Sequence, residues 1–170
     1  MYGLTQLGLI HTLISLVAVF AGVIAFVRDK GINPSNTLGK VYIWTTVLTC
    51  LTGFGIFEHG GFGKPHALGI ITLLTLAAAW WGDQGRFGAK SPYVSTLCYS
   101  ITFLFHMIPA VTESTTRLPL GAPLLPSAEA PELKAITGVM LVIYVIGASL
   151  QVRRLKAQAA QRQGLASAAA

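Results

Sequence analysis

The chain has 170 residues, of which 53% are hydrophobic and 11% charged, less than half the charged fraction of about 25% that is typical of soluble domains. A mean hydropathy of +0.64, with the charges clustered between long apolar runs, indicates lipid as the solvent and excludes a soluble domain. The net charge of +6 does not indicate nucleic acid as a partner, because the basic residues lie at the ends of apolar runs, where they would meet lipid headgroups. We therefore predict an all-α integral membrane protein in contact with the lipid bilayer.

The predicted fold is a bundle of about five transmembrane helices, since each span needs about 20 mostly apolar residues. The predicted spans cover residues 4–27, 41–57, 66–81, 92–111 and 135–152. The first span is predicted to be retained and not cleaved as a signal peptide, because no basic residue precedes it and its apolar run is as long as a full span. The bundle takes up residues 1–157. Residues 158–170 are rich in Ala and Gln without an apolar face, which predicts a flexible cytoplasmic tail.

The basic residues predict the orientation of this bundle. Nine of the twelve Lys and Arg residues fall in the first loop, the third loop and the tail, and three fall on the opposite side. Loops rich in Lys and Arg stay in the cytoplasm, so we predict an outside N-terminus and an inside C-terminus in a bacterial inner membrane.

The histidines are the residues most indicative of function. A titratable side chain in contact with lipid is costly, so histidines inside spans are expected to point into the bundle. A polar stripe with helical spacing in the fourth span supports this expectation for its histidine. The four histidines, all in the predicted outer half, are His11, His59, His66 and His106. The stripe consists of Ser95, Tyr99, Thr102 and His106.

Three interpretations of these histidines stay open. In the first, His11 and His106 ligate one haem b iron from both sides, with His66 and Tyr99 as further cofactor-binding residues. In the second, a zinc or iron ion is bound by three nitrogens and one oxygen. Its ligands would be His11, His66 and His106 with Glu58 or Glu113. In the third, the histidines only form hydrogen bonds with backbone and hydroxyl groups.

Three further features are predicted to be structural. Glu113 and Arg117 have the i,i+4 spacing of a helical ion pair if the fourth helix continues beyond Pro109. Gly138 and Gly147 in the fifth span are typical of helices that pack closely in membranes. The connection between the fourth and fifth spans contains four prolines, which predicts an extended or turning loop.

Several of these residues resemble those of a family of small bacterial membrane proteins that is catalogued only as a domain of unknown function. The matching features are His11, the segment Gly39-Lys40-Val41-Tyr42, the Pro65-His66 entry to the third span, and His106, over roughly residues 4–117. The resemblance implies a membrane fold but no settled activity. A looser similarity to b-type cytochromes comes from the histidine-bearing helices, although the chain offers no inner-half histidine for a second haem.

The predicted function is binding of one cofactor, b-type haem, in the outer half of the bundle, for electron exchange with a quinone or a periplasmic partner. An alternative is a non-catalytic accessory or assembly subunit of a larger membrane complex. A zinc- or iron-dependent membrane enzyme is the third. The sequence contains no HExxH, CxxC or CxxCH motif, so any ligand set has to come from several helices.

Overall fold

The computed structural model describes residues 5–57 and 61–168, and the predicted all-α fold is confirmed for them. A single 3-10 turn at Gly88–Lys90 leads into the fourth helix. The helices are α1 (Gln6–Asp29), α2 (Thr37–Gly53), α3 (Lys64–Asp83), α4 (Ser91–Arg117) and α5 (Pro131–Ala168).

Four of these helices, α1, α3, α4 with its preceding turn, and α5, are long and apolar enough to cross a membrane. The remaining helix, α2, has 17 residues, which corresponds to about 26 Å at 1.5 Å per residue. A hydrocarbon core is about 30 Å thick, so α2 is slightly shorter than the core. Length and composition are therefore those of a multi-pass membrane protein.

Helices α1 to α4 form a closed four-helix bundle, in which α1 packs on α2, α2 on α3, α3 on α4 and α4 on α1. Small residues allow this close approach, since the side chains of Ala18, Ala25 and Ala79 are fully buried between helices. Helix α5 is different, because its packing against other helices is mainly with α4. The centre of the molecule therefore lies within α1 to α4.

The first loop is held by side chains at both of its ends. The Asn36 side chain accepts a hydrogen bond from the Gly39 backbone N–H at 2.8 Å and so caps the start of α2. Its amide nitrogen also donates to the Asp29 carboxylate at 2.8 Å, at the end of α1. A Cβ atom on Gly39 would lie 1.8 Å from the carbonyl oxygen of Asn33, so only glycine fits at this position.

Three helices, α3, α4 and α5, are longer than the apolar spans predicted from the sequence. Helix α4 continues through Pro109 to Arg117, and α5 has 38 residues, about 57 Å of helix. Apolar stretches mark the part of a helix that fits a membrane, whereas Ala, Gln and Arg have high helix propensity and extend it further. Residues 158–168, predicted as a flexible tail, consequently continue α5 as an exposed helix.

Candidate histidine site

Three histidines lie at one end of the bundle, which we call the histidine end. His11 is in the second turn of α1, His66 is in the first turn of α3, and His106 is in the second half of α4. His59 and Glu58, also named from the sequence, lie outside the described residues. The histidine end is thus built from α1, α3 and α4, with the end of α2 between them.

The imidazole of His106 is buried and is held by a threonine of α2. Its Nε2 atom lies 3.0 Å from Oγ1 of Thr46. The Thr46 hydroxyl donates its single proton to the backbone carbonyl of Tyr42 at 2.7 Å, so its oxygen accepts from the imidazole. His106 is therefore the Nε2–H donor, and in the neutral ring its lone pair is on Nδ1.

The imidazole of His11 is held in the opposite tautomer. Its Nδ1 atom lies 3.1 Å from Oγ1 of Thr52, whose own proton is donated to the carbonyl of Leu48 at 2.8 Å. Nδ1–H is therefore the donor, and the Nε2 lone pair of the neutral ring is left for another group.

His66 presents a proton and not a lone pair. Its Nδ1 atom accepts a hydrogen bond from the Gly63 backbone N–H at 3.2 Å, so the neutral ring carries its proton on Nε2. Nε2 is buried, and within the described part of the chain it has no hydrogen-bond partner. The rings of Phe57 and Phe62 contact the imidazole at centroid distances of 5.1 Å and 5.2 Å. In this arrangement His66 is a hydrogen-bond donor in an aromatic setting and does not offer a metal ligand.

Glu113, seven residues after His106 on α4, forms the ion pair with Arg117 that its spacing predicts. Across residues 5–57 and 61–168, no three His, Cys, Asp or Glu side chains are grouped so as to hold a metal ion. At the histidine end, His11 and His106 are thus both held by threonines of α2, whereas His66 contacts two aromatic rings.

Tyr99 belongs to the opposite end of the bundle, which we call the aspartate end. Its phenol donates a hydrogen bond to a carboxylate oxygen of Asp83 at 2.7 Å, and the hydroxyl of Ser95 donates to the other oxygen. Tyr99 lies seven residues before His106, about 10 Å along the helix. The polar stripe of α4 is buried as predicted, but it connects two different polar sites.

Two residues that hold these sites, and one that attaches α5 to the bundle, were missed in the sequence. Asp83 lies two residues after the predicted third span. The tryptophans at the end of that span, Trp80 and Trp81, indicate a membrane anchor, so the position of Asp83 at the end of the helix was missed. Thr46 carries the hydroxyl that holds His106, and a helical wheel centred on Tyr42 would have found it on the same face. Gln151 is an amide inside an apolar run, which is itself a signal in a membrane helix.

The chain matches no family model, no curated protein and no solved structure. The resemblance to the family of small bacterial membrane proteins therefore stays a prediction from His11, His106 and the segments between them. Function has to be inferred from the geometry of the chain itself.

Proposed function

We propose that the histidine end binds one redox cofactor, b-type haem, with His11 as an axial ligand. The observation that carries this proposal is the hydrogen bond from His11 Nδ1–H to Thr52, which leaves the Nε2 lone pair available. Ligating histidines almost always donate their other ring N–H to a protein acceptor, which fixes the tautomer and the direction of the ring. Thr52 has this role for His11.

His106 is the candidate for the second ligand. It lies on α4, which packs against α1, and it is held by a threonine of α2, the same helix that holds His11. Its Nε2 atom donates to Thr46, so ligation through Nε2 requires this hydrogen bond to break and the ring to be deprotonated there. His106 fits the site less directly than His11, and the two positions should respond differently to substitution.

A bound haem would supply one-electron transfer, and the chain would position it at one end of the bundle. The three described histidines, His11, His66 and His106, all lie in candidate spans and at the same end of the bundle. This arrangement supports electron exchange on one side of the membrane, with a quinone or a partner protein, and not transfer across it.

The orientation of the chain is part of this proposal. We place the histidine end outside the inner membrane of a bacterium, because nine of the twelve basic residues fall on the other side. A reporter that is active only outside should work when fused after Lys64 or Pro123 and fail after Lys90 or Gln163. Activity after Gln163 would contradict this orientation.

Substitution of single histidines tests the ligand assignment. We expect His11→Ala to abolish most haem absorption in the purified protein, and His106→Ala to lower it strongly, because one imidazole holds the iron more weakly than two. His66→Ala is the matched control and should retain the spectrum. A spectrum that survives His11→Ala would contradict the proposal.

Two other outcomes identify the rival functions. If His66→Ala removes a bound metal together with His11→Ala and His106→Ala, and zinc or non-haem iron is found without haem, the metal-dependent enzyme replaces this proposal. If no substitution changes a bound species, the accessory subunit replaces it. That second candidate is favoured by one observation, namely that His11 and His106 both form hydrogen bonds to threonines of α2.

A further inference from the structure

The aspartate end contains an open cleft of about 490 Å³ between the start of α2 and the end of α3. Its walls combine a carboxylate, an ammonium group, a phenol and two indoles. The residues that matter here are Lys40, Trp44, Trp80, Asp83 and Tyr99.

The carboxylate of Asp83 has unused capacity to accept hydrogen bonds. Tyr99 and Ser95 each donate to one of its oxygens, and a carboxylate has about four lone-pair sites, so about two are left. Asp83 is exposed at the end of α3, and no Lys or Arg of the described residues forms an ion pair with it. The two hydroxyls hold the carboxylate in place while it faces the cleft.

Lys40 supplies the opposite charge in the same cleft. It lies in the first turn of α2, is exposed, and also has no ion pair with a described carboxylate. A cleft that holds one free anion and one free cation is suited to a ligand that carries both charges.

Two indoles place this cleft at the level of a membrane interface. Trp44 lies one helical turn further into α2 than Lys40, and Trp80 lies three residues before Asp83. Their side chains are exposed, by 66% and 56%. Tryptophans at helix ends lie at the headgroup level of a bilayer, so the charged groups of the cleft lie at the height of lipid phosphates and amines.

We propose that this cleft binds the headgroup of a phospholipid that joins a phosphate to a primary ammonium. Lys40 would contact the phosphate, and the free lone pairs of Asp83 would accept N–H bonds from the ammonium. A quaternary ammonium has no N–H to donate, so the cleft should prefer ethanolamine over choline headgroups. This inference requires a membrane but not the proposed cofactor, and either can fail without the other.

The test is lipid retention by the purified full-length chain in native mass spectrometry. The protein is titrated with phosphatidylethanolamine, phosphatidylcholine and phosphatidylglycerol that share the same acyl chains. We expect ethanolamine lipid to be retained about fivefold more than choline lipid. This ratio corresponds to a free energy of about 1 kcal/mol, the upper end of the range for an exposed ion pair. Equal retention of these two, or stronger retention of the glycerol lipid, would overturn the proposal.

Variants assign the preference to the cleft. Asp83→Asn should remove the preference for ethanolamine over choline but keep phosphate-dependent retention, Asp83→Glu should restore the preference, and Lys40→Gln should weaken all three lipids. Lys90→Gln, at the same end but outside the cleft, is the matched control. A preference that survives Asp83→Asn would overturn the assignment.

One additional arm separates the lipid from its free headgroup. Glycerophosphoethanolamine, which has no acyl chains, should not displace the bound lipid at equal concentration, because the indoles would contact the lipid above its headgroup. Efficient displacement would assign the cleft to a soluble ligand and contradict a lipid site. Because Lys40 is exposed and lies away from the packed interior, Lys40→Gln keeps the test informative if Asp83→Asn fails to fold.

Discussion

Glycines of the bundle of α1 to α4 lie against neighbouring helices, whereas those of the outer helix α5 that were predicted to pack closely do not. A Cβ atom on Gly22 would lie 2.5 Å from the ring of Phe103, and one on Gly82 would lie 2.8 Å from the backbone nitrogen of Ser95. In α5, a Cβ atom on Gly138 or Gly147 would have nothing within 4 Å. The close packing predicted for these two glycines is therefore not observed, whereas Gly22 and Gly82 do lie at close contacts within α1 to α4.

Helix α5 is attached to the bundle by packing on α4 and by hydrogen bonds of Gln151. Gln151 accepts a hydrogen bond from Ser100 at 2.9 Å and donates to the carbonyl of Lys30 at 2.9 Å. Large apolar side chains on the rest of the helix are exposed, among them Val142 and Ile143. The positions of the two polar sites are consequently set by α1 to α4, whereas α5 is an exterior helix that a lipid environment would surround.

The largest expected effect comes from adding a methyl group where the helices touch. Gly82→Ala should lower the free energy of unfolding by about 2–3 kcal/mol, because the backbone of α4 has to move away. Gly147→Ala is the control in α5 and should be neutral or stabilising by up to about 1 kcal/mol, since alanine is the better helix former. Unfolding in detergent, followed by circular dichroism, measures both. Equal losses would mean that α5 packs as closely as the bundle.

A smaller effect is expected where α5 is attached. Gln151→Leu leaves the Ser100 hydroxyl and the Lys30 carbonyl without a partner and should cost about 1–2 kcal/mol. Ser149→Ala, whose hydroxyl is exposed and bonds the carbonyl of Val145 in its own helix, should change stability little. Proteolysis at the loop before Pro131, compared between the two variants, measures detachment of α5. No difference between them would contradict the bridging role of Gln151.

The smallest effect concerns the hydrogen bond that holds His106. Thr46→Val removes the acceptor of Nε2–H and should cost about 0.6 kcal/mol, the average for a hydrogen bond between helices in a membrane. Thr45→Val is the matched control, because the Thr45 hydroxyl bonds only carbonyls of its own helix. Haem content should not fall in Thr46→Val if Nε2 of His106 is a ligand. A fall in haem content would mean that the hydrogen bond to Thr46 supports ligation by His106, which would contradict Nε2 as the ligand atom.

The same contrast explains how much of the fold could be predicted from the sequence. The apolar runs correctly predicted the number and order of the helices, because a helix long enough to cross a membrane needs a long stretch of mostly apolar residues. The helical spacing of the α4 stripe correctly predicted a buried face that includes Tyr99 and His106. Spacing within one helix could not show that these two residues serve different ends of the bundle, since their partners, Asp83 and Thr46, lie on other helices.

The site was less predictable than the fold for a related reason. The protonated nitrogen of each histidine follows from where a neighbouring hydroxyl or amide sends its own proton, as at Thr52 and Gly63. Such information exists only once helices are packed together. The grouping of His66 with His11 and His106 depended on their shared outer position, whereas the hydrogen bonds separate their roles.

The central claim is that the histidine end, within α1 to α4, binds haem through His11. The most direct measurement is the reduced-minus-oxidised absorption spectrum of the purified chain, with haem quantified per protein, after expression in haem-supplemented cells. The account predicts b-type haem bands at about one haem per chain, and their loss in His11→Ala. A colourless wild-type protein without haem would contradict it and favour the accessory subunit.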